Sequence, residues 1–338
     1  MTKGFKDWKI LIGLVIAAAC MFLAFRKVEF AQMGAALKQA KLWYIFPLLA
    51  VIFFSHWLRA LRWRYLLKPL ARIDLNTLFS SLLIGYMANT FLPAHLGEFV
   101  RAYLVAKKKP IAGSAVFATI VIERIIDVFT LLLLMALTVV VFPFPDWVRR
   151  SGYIIFAVIG ALFAALVLMK KYREQSLNLT DRLLRPLPKS IRIKLNAMLH
   201  SFLDGVVGLQ HPFDYPVVTV LSLAIWFCYG YVFQLGLQAF DFSLPWTAPL
   251  VLLVITTIAV LVPSSPGYVG TYHYLCQLAL GLFGVPESEA LTFALVVHGL
   301  NFLPILIVGL ILVSVMGMNL KTIQRQAETF DHPMEKID

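Results

Sequence analysis

LNTLFSSLLIGYMANTFLPAHLGEFVRAYLVA, residues 75–106, is an apolar stretch that proline and glycine interrupt near its middle. Proline removes a backbone donor and clashes with the preceding turn, and glycine adds backbone freedom, so no helix is expected to continue from Pro93 through Gly97. The arm from Pro93 to Ala106 would be about 21 Å long as a helix, too short to cross a bilayer upright. The stretch therefore predicts a re-entrant hairpin that enters and leaves the membrane on one side.

A second apolar stretch, residues 247–284, is interrupted at VPSSPG, residues 262–267. It fits either a re-entrant hairpin or two tightly joined crossings, and both return the chain to its starting side. The two interruptions share one pattern, an apolar residue followed by Pro-x-x-x-Gly, at Leu92-Pro93 to Gly97 and at Val262-Pro263 to Gly267. The repeated pattern indicates two related halves.

The composition places the whole chain in a membrane. Hydrophobic residues make up 60% of it, charged residues 14%, and the mean hydropathy is +0.81, outside the range of soluble domains. We predict an all-α integral membrane domain over residues 1–320, followed by a polar cytoplasmic tail at 321–338. Besides the two hairpins, the prediction has six full spans, near 8–25, 42–58, 114–142, 151–169, 215–235 and 291–316.

The basic residues that give the net charge of +12 lie between the apolar spans. This distribution is typical of residues that orient a protein in the membrane, and it does not indicate nucleic-acid binding. With both termini cytoplasmic, 23 Lys and Arg residues fall inside and 6 outside, and Arg124 lies within a span. This topology has the two hairpins entering from opposite faces, which is an inverted-repeat arrangement common in transporters. It also predicts the cytoplasmic, or inner, membrane as the location and a cytoplasmic amphipathic segment at about 190–209.

Charged residues at membrane depth need a partner or a function because burying them is costly. Glu98 and Arg101 are three residues apart and can pair, as can Arg124 and Asp127, while Glu123 and Asp127 are four apart. These five charges sum to −1, which leaves room for a proton, a cation or a cationic headgroup. The alternative is that they are structural ion pairs between helices.

The second interruption predicts an anion site. Ser264 and Ser265 are suitable caps for a helix that begins at Pro266, and the free N–H groups of such a helix attract phosphate. Gly267 and Gly270 would allow an acyl chain or a neighbouring helix to approach. The alternative is a simple kink.

Four histidines lie in or near the spans, and they have no metal-ligand spacing. His95 and His273 lie at the two interruptions and are therefore candidates for the site, whereas His56 and His298 are expected to be satisfied polar residues. Five tryptophans near predicted span ends are expected to be interfacial anchors: Trp43, Trp57, Trp63, Trp147 and Trp246. No P-loop, dinucleotide motif, nucleophile elbow or zincin motif is present in the sequence, so we predict no enzyme activity, cofactor or metal.

Three ordered motifs resemble those of a known family. They are Asn89-x-x-Leu92-Pro93-x-x-x-Gly97-Glu98-x-x-Arg101, then Glu123-Arg124-x-x-Asp127, then Pro263-x-x-Pro266-Gly267-x-x-Gly270-Thr271. The chain is similar over nearly its whole length to the flippase-type transmembrane region of lysylphosphatidylglycerol synthases, the multiple peptide resistance factors, and to their stand-alone relatives. The resemblance implies movement of a lipid across the bilayer without the synthase domain. His95 and His273 differ from the residues common at those positions, an arginine and an acidic residue.

The leading hypothesis is a flippase for a phospholipid, with or without an aminoacyl group, or for a lipid-linked intermediate. Its headgroup would lie near the midplane between the two broken helices. The predicted binding residues are Pro93, His95, Gly97, Glu98, Arg101, Glu123, Arg124, Asp127, Pro263, Ser264, Ser265, Pro266, Gly267, Gly270 and His273. The alternatives are an integral-membrane transferase for polyprenyl-phosphate-linked substrates and a non-transporting partner of a lipid-synthesising or cell-envelope enzyme.

Overall fold

The computed structural model describes residues 4–26, 28–91, 96–109, 111–144, 146–184, 189–205, 209, 211–261 and 266–318. All regular structure in these residues is helical. The helices are α1 (Gly4–Phe25), α2 (Phe30–Gln39), α3 (Ile45–Leu67), α4 (Leu75–Phe91), α5 (Gly97–Ala106), α6 (Gly113–Val141), α7 (Asp146–Lys171), α8 (Arg173–Leu183), α9 (Lys189–Gly205), α10 (Asp214–Ala239), α11 (Ala248–Leu261), α12 (Thr271–Gly281) and α13 (Glu287–Val315). Short 3₁₀ turns lie at Leu42–Tyr44 and Pro266–Tyr268.

Five stretches among the described residues are long and apolar enough to cross a membrane. They are Leu42–Leu67, Gly113–Val141, Val148–Met169, Asp214–Ala239 and Glu287–Val315. These coincide with five of the six predicted spans and confirm the all-helical membrane class. The sixth, predicted at 8–25, coincides with α1, but the burial of α1 side chains is described only from Val15 onward, so this span stays a prediction.

The second predicted span was too short. It was expected to end at residue 58, whereas α3 continues to Leu67. Arginine is costly in hydrocarbon, which favours a span that ends before Arg59, but Arg59 and Arg62 on the continuing turns of α3 are buried and paired within the protein.

The chain divides into two compact units. The first comprises residues 1–55, 131–152 and 224–307, and the second comprises 56–130, 153–223 and 308–338. Each unit contains one of the two interrupted apolar stretches, and the described residues of each stretch form two helices.

In the second unit, α4 packs along α5. The carboxylate of Asp74 caps α4 by accepting the N–H of Thr77 at 2.8 Å, and this bond is the main reason that the pKa of Asp74 lies below its ordinary value. The two helices approach closely at Gly85 and Gly97, where a Cβ added to Gly97 would lie 2.0 Å from the carbonyl oxygen of Gly85. Asn89 also joins them, because its Oδ1 accepts the N–H of Gly97 at 2.7 Å.

In the first unit, α12 packs against both α11 and α1. Gly270 lies directly on α1, since a Cβ there would be 2.4 Å from the carbonyl oxygen of Ala17. Further along α12, the side-chain amide of Gln277 donates to the carbonyl oxygens of Ala24 and Glu287, at 3.3 and 3.1 Å. The approach of a neighbouring helix to Gly270 is therefore observed.

Several finer predictions fall beyond these observations. The predicted amphipathic segment coincides with α9, which packs against α8, but its place on the membrane surface stays a prediction. The same holds for re-entrance of the two helix pairs and for the inverted repeat. The predicted tail at 321–338 lies outside the described residues.

Candidate functional site

Three helices of the second unit bring seven charged side chains together. α3 contributes Arg59 and Arg62, α5 contributes Glu98 and Arg101, and α6 contributes Glu123, Arg124 and Asp127. We call these seven side chains the ion-pair network. The sequence predicted five of its members, and the two arginines of α3 were missed.

Glu123 lies at the centre of the ion-pair network and is completely buried. Its carboxylate accepts two hydrogen bonds from Arg101, at 2.7 and 3.3 Å, and one from Arg59 at 3.2 Å. Arg62 lies 3.7 Å away on the same side. Three arginines therefore surround a single carboxylate, whose negative charge compensates their positive charges.

Asp127 lies one turn further along α6 and neutralises the arginines of α3. Its oxygens lie 2.8 Å from Arg62 and 3.2 Å from Arg59. These contacts are close ion pairs without hydrogen-bond geometry, and they leave both Asp127 oxygens short of a well-aligned donor among the described residues. The ionic attraction is strong here because little water screens it.

Glu98 and Arg124 form the accessible edge of the ion-pair network. Nη2 of Arg124 donates to Glu98 at 2.6 Å, and the side chain of Arg124 is 40% exposed, against 0–14% for the other six. The predicted pairs, Glu98 with Arg101 and Arg124 with Asp127, are both present but long, at 3.6 Å each. The shorter bonds join different helices.

A second layer of contacts fixes the buried arginines. The guanidinium of Arg101 lies over the ring of Trp63 at 4.0 Å, and Arg62 donates to the hydroxyl of Ser222 at 3.0 Å. Trp63 is itself completely buried and donates to Thr119 at 3.0 Å. Trp63 is thus a platform for Arg101, and its prediction as an interfacial anchor was wrong because its indole N–H finds a partner inside the protein.

The ion-pair network carries four positive and three negative charges, a net charge of +1. The sequence prediction of −1 lacked Arg59 and Arg62. The sign is therefore opposite to that expected, and the site favours an anion over a cation. The Nε atoms of Arg62 and Arg101 are additional donors for which the described residues supply no acceptor.

The second interruption differs from its prediction in one respect. The α-helix begins at Thr271 rather than at Pro266, after a 3₁₀ turn at 266–268. Positive φ angles at Gly267, Tyr268 and Gly270, of 70°, 58° and 92°, exclude a right-handed helix at these positions. The predicted phosphate-binding site at the N-terminus of a helix that starts at Pro266 is therefore not formed.

Two histidines meet beside this turn. Nδ1 of His298, on α13, lies 3.0 Å from Nε2 of His273, on α12. The two residues are 25 positions apart in the sequence, so no metal-ligand spacing predicted their contact. Each ring has its bonding partners among the described residues, and no cluster of three or more metal-ligating side chains occurs there.

Of the remaining predicted site residues, Pro93, His95, Pro263, Ser264 and Ser265 lie outside the described residues. Gly97 serves the packing of α4 on α5, and Gly267 faces the ring of Phe302. The predicted joint site between the two breaks draws on both units of the fold and stays a prediction.

The helices and the buried charges define a class, the multi-pass helical membrane proteins with an ionic network buried among their helices. Within that class the chain belongs to the lysylphosphatidylglycerol synthase transmembrane region family, whose sequence profile matches residues 10–309. This confirms the resemblance drawn from the motifs.

Among curated proteins, the chain is similar to a UPF0104 membrane protein of Methanothermobacter thermautotrophicus, with 23% identity covering 91% of this chain and 94% of the relative. A UPF0104 membrane protein of Methanocaldococcus jannaschii is 21% identical over 74% of this chain and 78% of the relative. Glycosyltransferase AglD of Haloferax volcanii is 25% identical, and the match covers 86% of this chain but only 52% of AglD. No solved structure matches the chain.

Proposed function

We propose that this chain is a lipid transporter that moves a phosphate-bearing lipid across the bilayer and that the ion-pair network recognises the headgroup. The observation that carries the proposal is the net charge of +1 of this mostly buried network. Buried ion pairs rarely stabilise a protein more than apolar packing does, so seven charges on three helices call for a function. Family membership supports a lipid-related role.

Arg124 is the residue that we expect to contact the phosphate. It combines partial exposure with a short bond to Glu98, so its guanidinium is already oriented by one acceptor. Guanidinium groups bind phosphate through parallel hydrogen bonds, and one phosphodiester charge would neutralise the network. Arg101 and Glu123 would then act behind it by holding the positive charge in place.

A basic cavity beside α3, the helix that contributes Arg59 and Arg62 to the ion-pair network, also supports recognition of an anionic lipid. Its volume is about 340 Å³, and its lining comprises Leu61, Arg64, Tyr65, Lys68, Ala71 and Arg72. Lys68 pairs with Asp214 at 3.0 Å, which leaves an excess of positive charge in the lining. Clusters of basic residues at a membrane face attract anionic headgroups, so this cavity suits a lipid before its transfer.

The finer features of the proposal are re-entrant hairpins in an inverted repeat, both termini in the cytoplasm, and the cytoplasmic or inner membrane as the location. They follow from the charge distribution of the sequence and from the short arms of the broken helices. The arms α5, α11 and α12 have 10, 14 and 11 residues, fewer than the ~20 needed to span. A lipid-synthesising enzyme is the proposed partner.

The decisive experiment is lipid translocation in vesicles that contain the purified protein. Fluorescent lipids with anionic, zwitterionic and aminoacylated headgroups would be compared, and protein-dependent movement of at least one is expected. Arg124→Gln should slow it at least about tenfold, since a hydrogen bond to a charged group is worth about 1.5–3 kcal/mol. Arg149→Gln, an exposed arginine paired with Asp146, is the matched control and should leave the rate unchanged. Absence of translocation for every lipid would refute the proposal.

The name of one relative favours a second candidate, an integral-membrane transferase for lipid-linked sugars. That relative is about twice as long as the matched region, so its activity is not located by the comparison. Turnover of a polyprenyl-phosphate-linked sugar by purified protein would favour this candidate. Co-purification with a synthase, without translocation, would instead favour the partner role.

A further inference from the structure

The turn between α11 and α12 is joined to α13 by two histidines. His273 is 4% exposed and lies in the first turn of α12. His298 packs against it with the ring centroids 4.9 Å apart, and the ring of Tyr272 stacks on His298 at 4.7 Å. All of these residues belong to the first unit. We call His273 and His298 the histidine pair.

The surrounding backbone determines which ring nitrogens carry hydrogens. The N–H of Gly270 donates to Nδ1 of His273 at 3.3 Å, and a backbone N–H can only donate. Nδ1 of His273 therefore carries no hydrogen, and the neutral ring carries it on Nε2. That Nε2–H donates to Nδ1 of His298 at 3.0 Å, which leaves the hydrogen of neutral His298 on its own Nε2. The backbone of Gly267 bonds His298, and its carbonyl is the matching acceptor.

These bonds form a directional chain that begins and ends in one turn. It runs from Gly270 through His273 and His298 to Gly267, and it clamps two glycines at φ angles of 92° and 70°. Every ring nitrogen is occupied. An added proton must therefore take a nitrogen that already accepts a hydrogen bond. Protonation of the histidine pair necessarily breaks either the bond from Gly270 or the bond between the rings.

We propose that the histidine pair is a proton-binding site and that uptake of one proton opens the turn at residues 267–270. The titratable groups beside it are Tyr272, Tyr268 in the turn itself and, one turn along α12, Cys276. α1 presents Ala17 to the turn, with Cys20 one turn further on, and α11 has no titratable residue. In the described part of the chain, no carboxylate, lysine or arginine forms an ion pair or hydrogen bond with either ring, so the added charge would be uncompensated.

The net charge of −1 expected from the sequence left room for a proton at the carboxylates of the ion-pair network. Each carboxylate lies within 3.3 Å of an arginine nitrogen, and this positive charge favours the ionised carboxylate over the protonated one. The histidine pair has no such partner and is the better carrier. Coupling of this proton to lipid movement rests on the proposed transport function, whereas the proton site itself does not.

The test is nuclear magnetic resonance of the full chain in lipid nanodiscs, with ¹⁵N-labelled histidine. Near pH 8, both rings should show the Nε2–H tautomer, and near pH 4 at least one should shift to the imidazolium form. Hydrogen exchange of the amides at 270–274, corrected for intrinsic rates, should become about tenfold faster in acid, equivalent to ~1.4 kcal/mol of opening free energy.

Two variants make the test specific. The double variant His273→Asn/His298→Asn places an amide oxygen near each Nδ1 but removes both titrating rings, so exchange at 270–274 should no longer depend on pH. His200→Asn makes the same change at an exposed histidine of α9 and should behave as wild type. If the double variant does not fold, the wild-type tautomers and exchange decide the question alone.

An Nδ1–H tautomer in either neutral ring would overturn the proposal, and so would pH-independent exchange in the wild type. Because neither measurement involves lipid transfer, failure of the transport function is a separate result. A chain that passes this test but moves no lipid would retain the proton site and lose the transporter assignment.

Discussion

Glu123 is a buried charge that neighbouring arginines stabilise, although the ion pairs add little net stability to the fold. Three arginines lie within 3.7 Å of its carboxylate, and none of the four side chains is more than 6% exposed. Their attraction offsets a desolvation cost of several kcal/mol per ion. Removing only one member leaves its partners buried and uncompensated, which is more costly than removing a whole pair.

We therefore predict a hierarchy of coupling energies in double-mutant cycles. Arg101→Gln and Glu123→Gln should each lower the free energy of unfolding in detergent by about 3–5 kcal/mol, because each leaves a buried partner without its opposite charge. Their combination should recover a large part of the loss. The coupling of Arg101 with Glu98 should be smaller, since the distance is 3.6 Å rather than 2.7 Å. An equal or larger coupling with Glu98 would contradict the geometry of the network.

The sequence revealed the members of the ion-pair network on α5 and α6 because those residues interrupt apolar segments. Arg59 and Arg62 gave no such signal, since they follow an apolar run and resemble the usual basic flank of a span. Only their contacts with Glu123 and Asp127, more than 60 positions later, show that they are inside. The sign of the site's charge therefore depended on contacts that hydropathy does not encode.

At the scale of helices, the two breaks use glycine for close approach. Gly97 begins α5 at a point where the backbone of α4 leaves no room for a side chain, and Asn89 bonds its N–H. This contact sets the position of α5, which carries Glu98 and Arg101. The packing of one glycine is thus connected to the geometry of the charged site.

We predict that Gly97→Ala will destabilise the protein by at least about 1–3 kcal/mol and reduce transport, because the new Cβ would meet the backbone oxygen of Gly85 at 2.0 Å. Gly34→Ala, on α2, has no atom within 4 Å of the added Cβ and is the control. It should be neutral or stabilising by up to about 1 kcal/mol, since alanine is the better helix former. Equal effects in the two variants, by thermal unfolding in detergent, would contradict the close approach.

The start of α12 marks the limit of prediction from local signals. Serines followed by proline are a good helix-start pattern, and they favoured a helix from Pro266. Gly270 instead lies against α1, more than 250 positions earlier, in a conformation that ends the 3₁₀ turn and delays the helix to Thr271. Tertiary packing overrode the capping pattern.

We predict that Gly270→Ala, just before α12, will be more harmful than Gly281→Ala at the other end of that helix. The first forces a Cβ onto the Ala17 carbonyl at a φ angle of 92°, whereas the second meets nothing within 4 Å. A loss of about 1–3 kcal/mol is expected for Gly270→Ala and under about 1 kcal/mol of change for Gly281→Ala. Thermal unfolding of the two variants measures the difference, and a harmless Gly270→Ala would remove the constraint on this turn.

At the scale of the whole molecule, the remaining question is orientation in the membrane. Reassigning Arg59, Arg62 and Arg101 from cytoplasmic segments to buried sites lowers the count of cytoplasmic Lys and Arg from 23 to 20, against 6 outside. The bias therefore survives the correction, because it rests mainly on the loop at 170–213. It continues to favour cytoplasmic termini and hairpins that enter from opposite faces.

We predict that Lys108→Cys and Asn178→Cys will be protected from an impermeant thiol reagent applied to intact cells, while Ser243→Cys will be labelled. All three side chains are exposed in the fold, so protection would report the membrane side rather than burial. The background should carry serine at Cys20, Cys228 and Cys276, and permeabilised cells should label all three sites. External labelling at Asn178 would place the 170–213 loop outside, which would require residues 75–106 to cross the membrane once instead of re-entering.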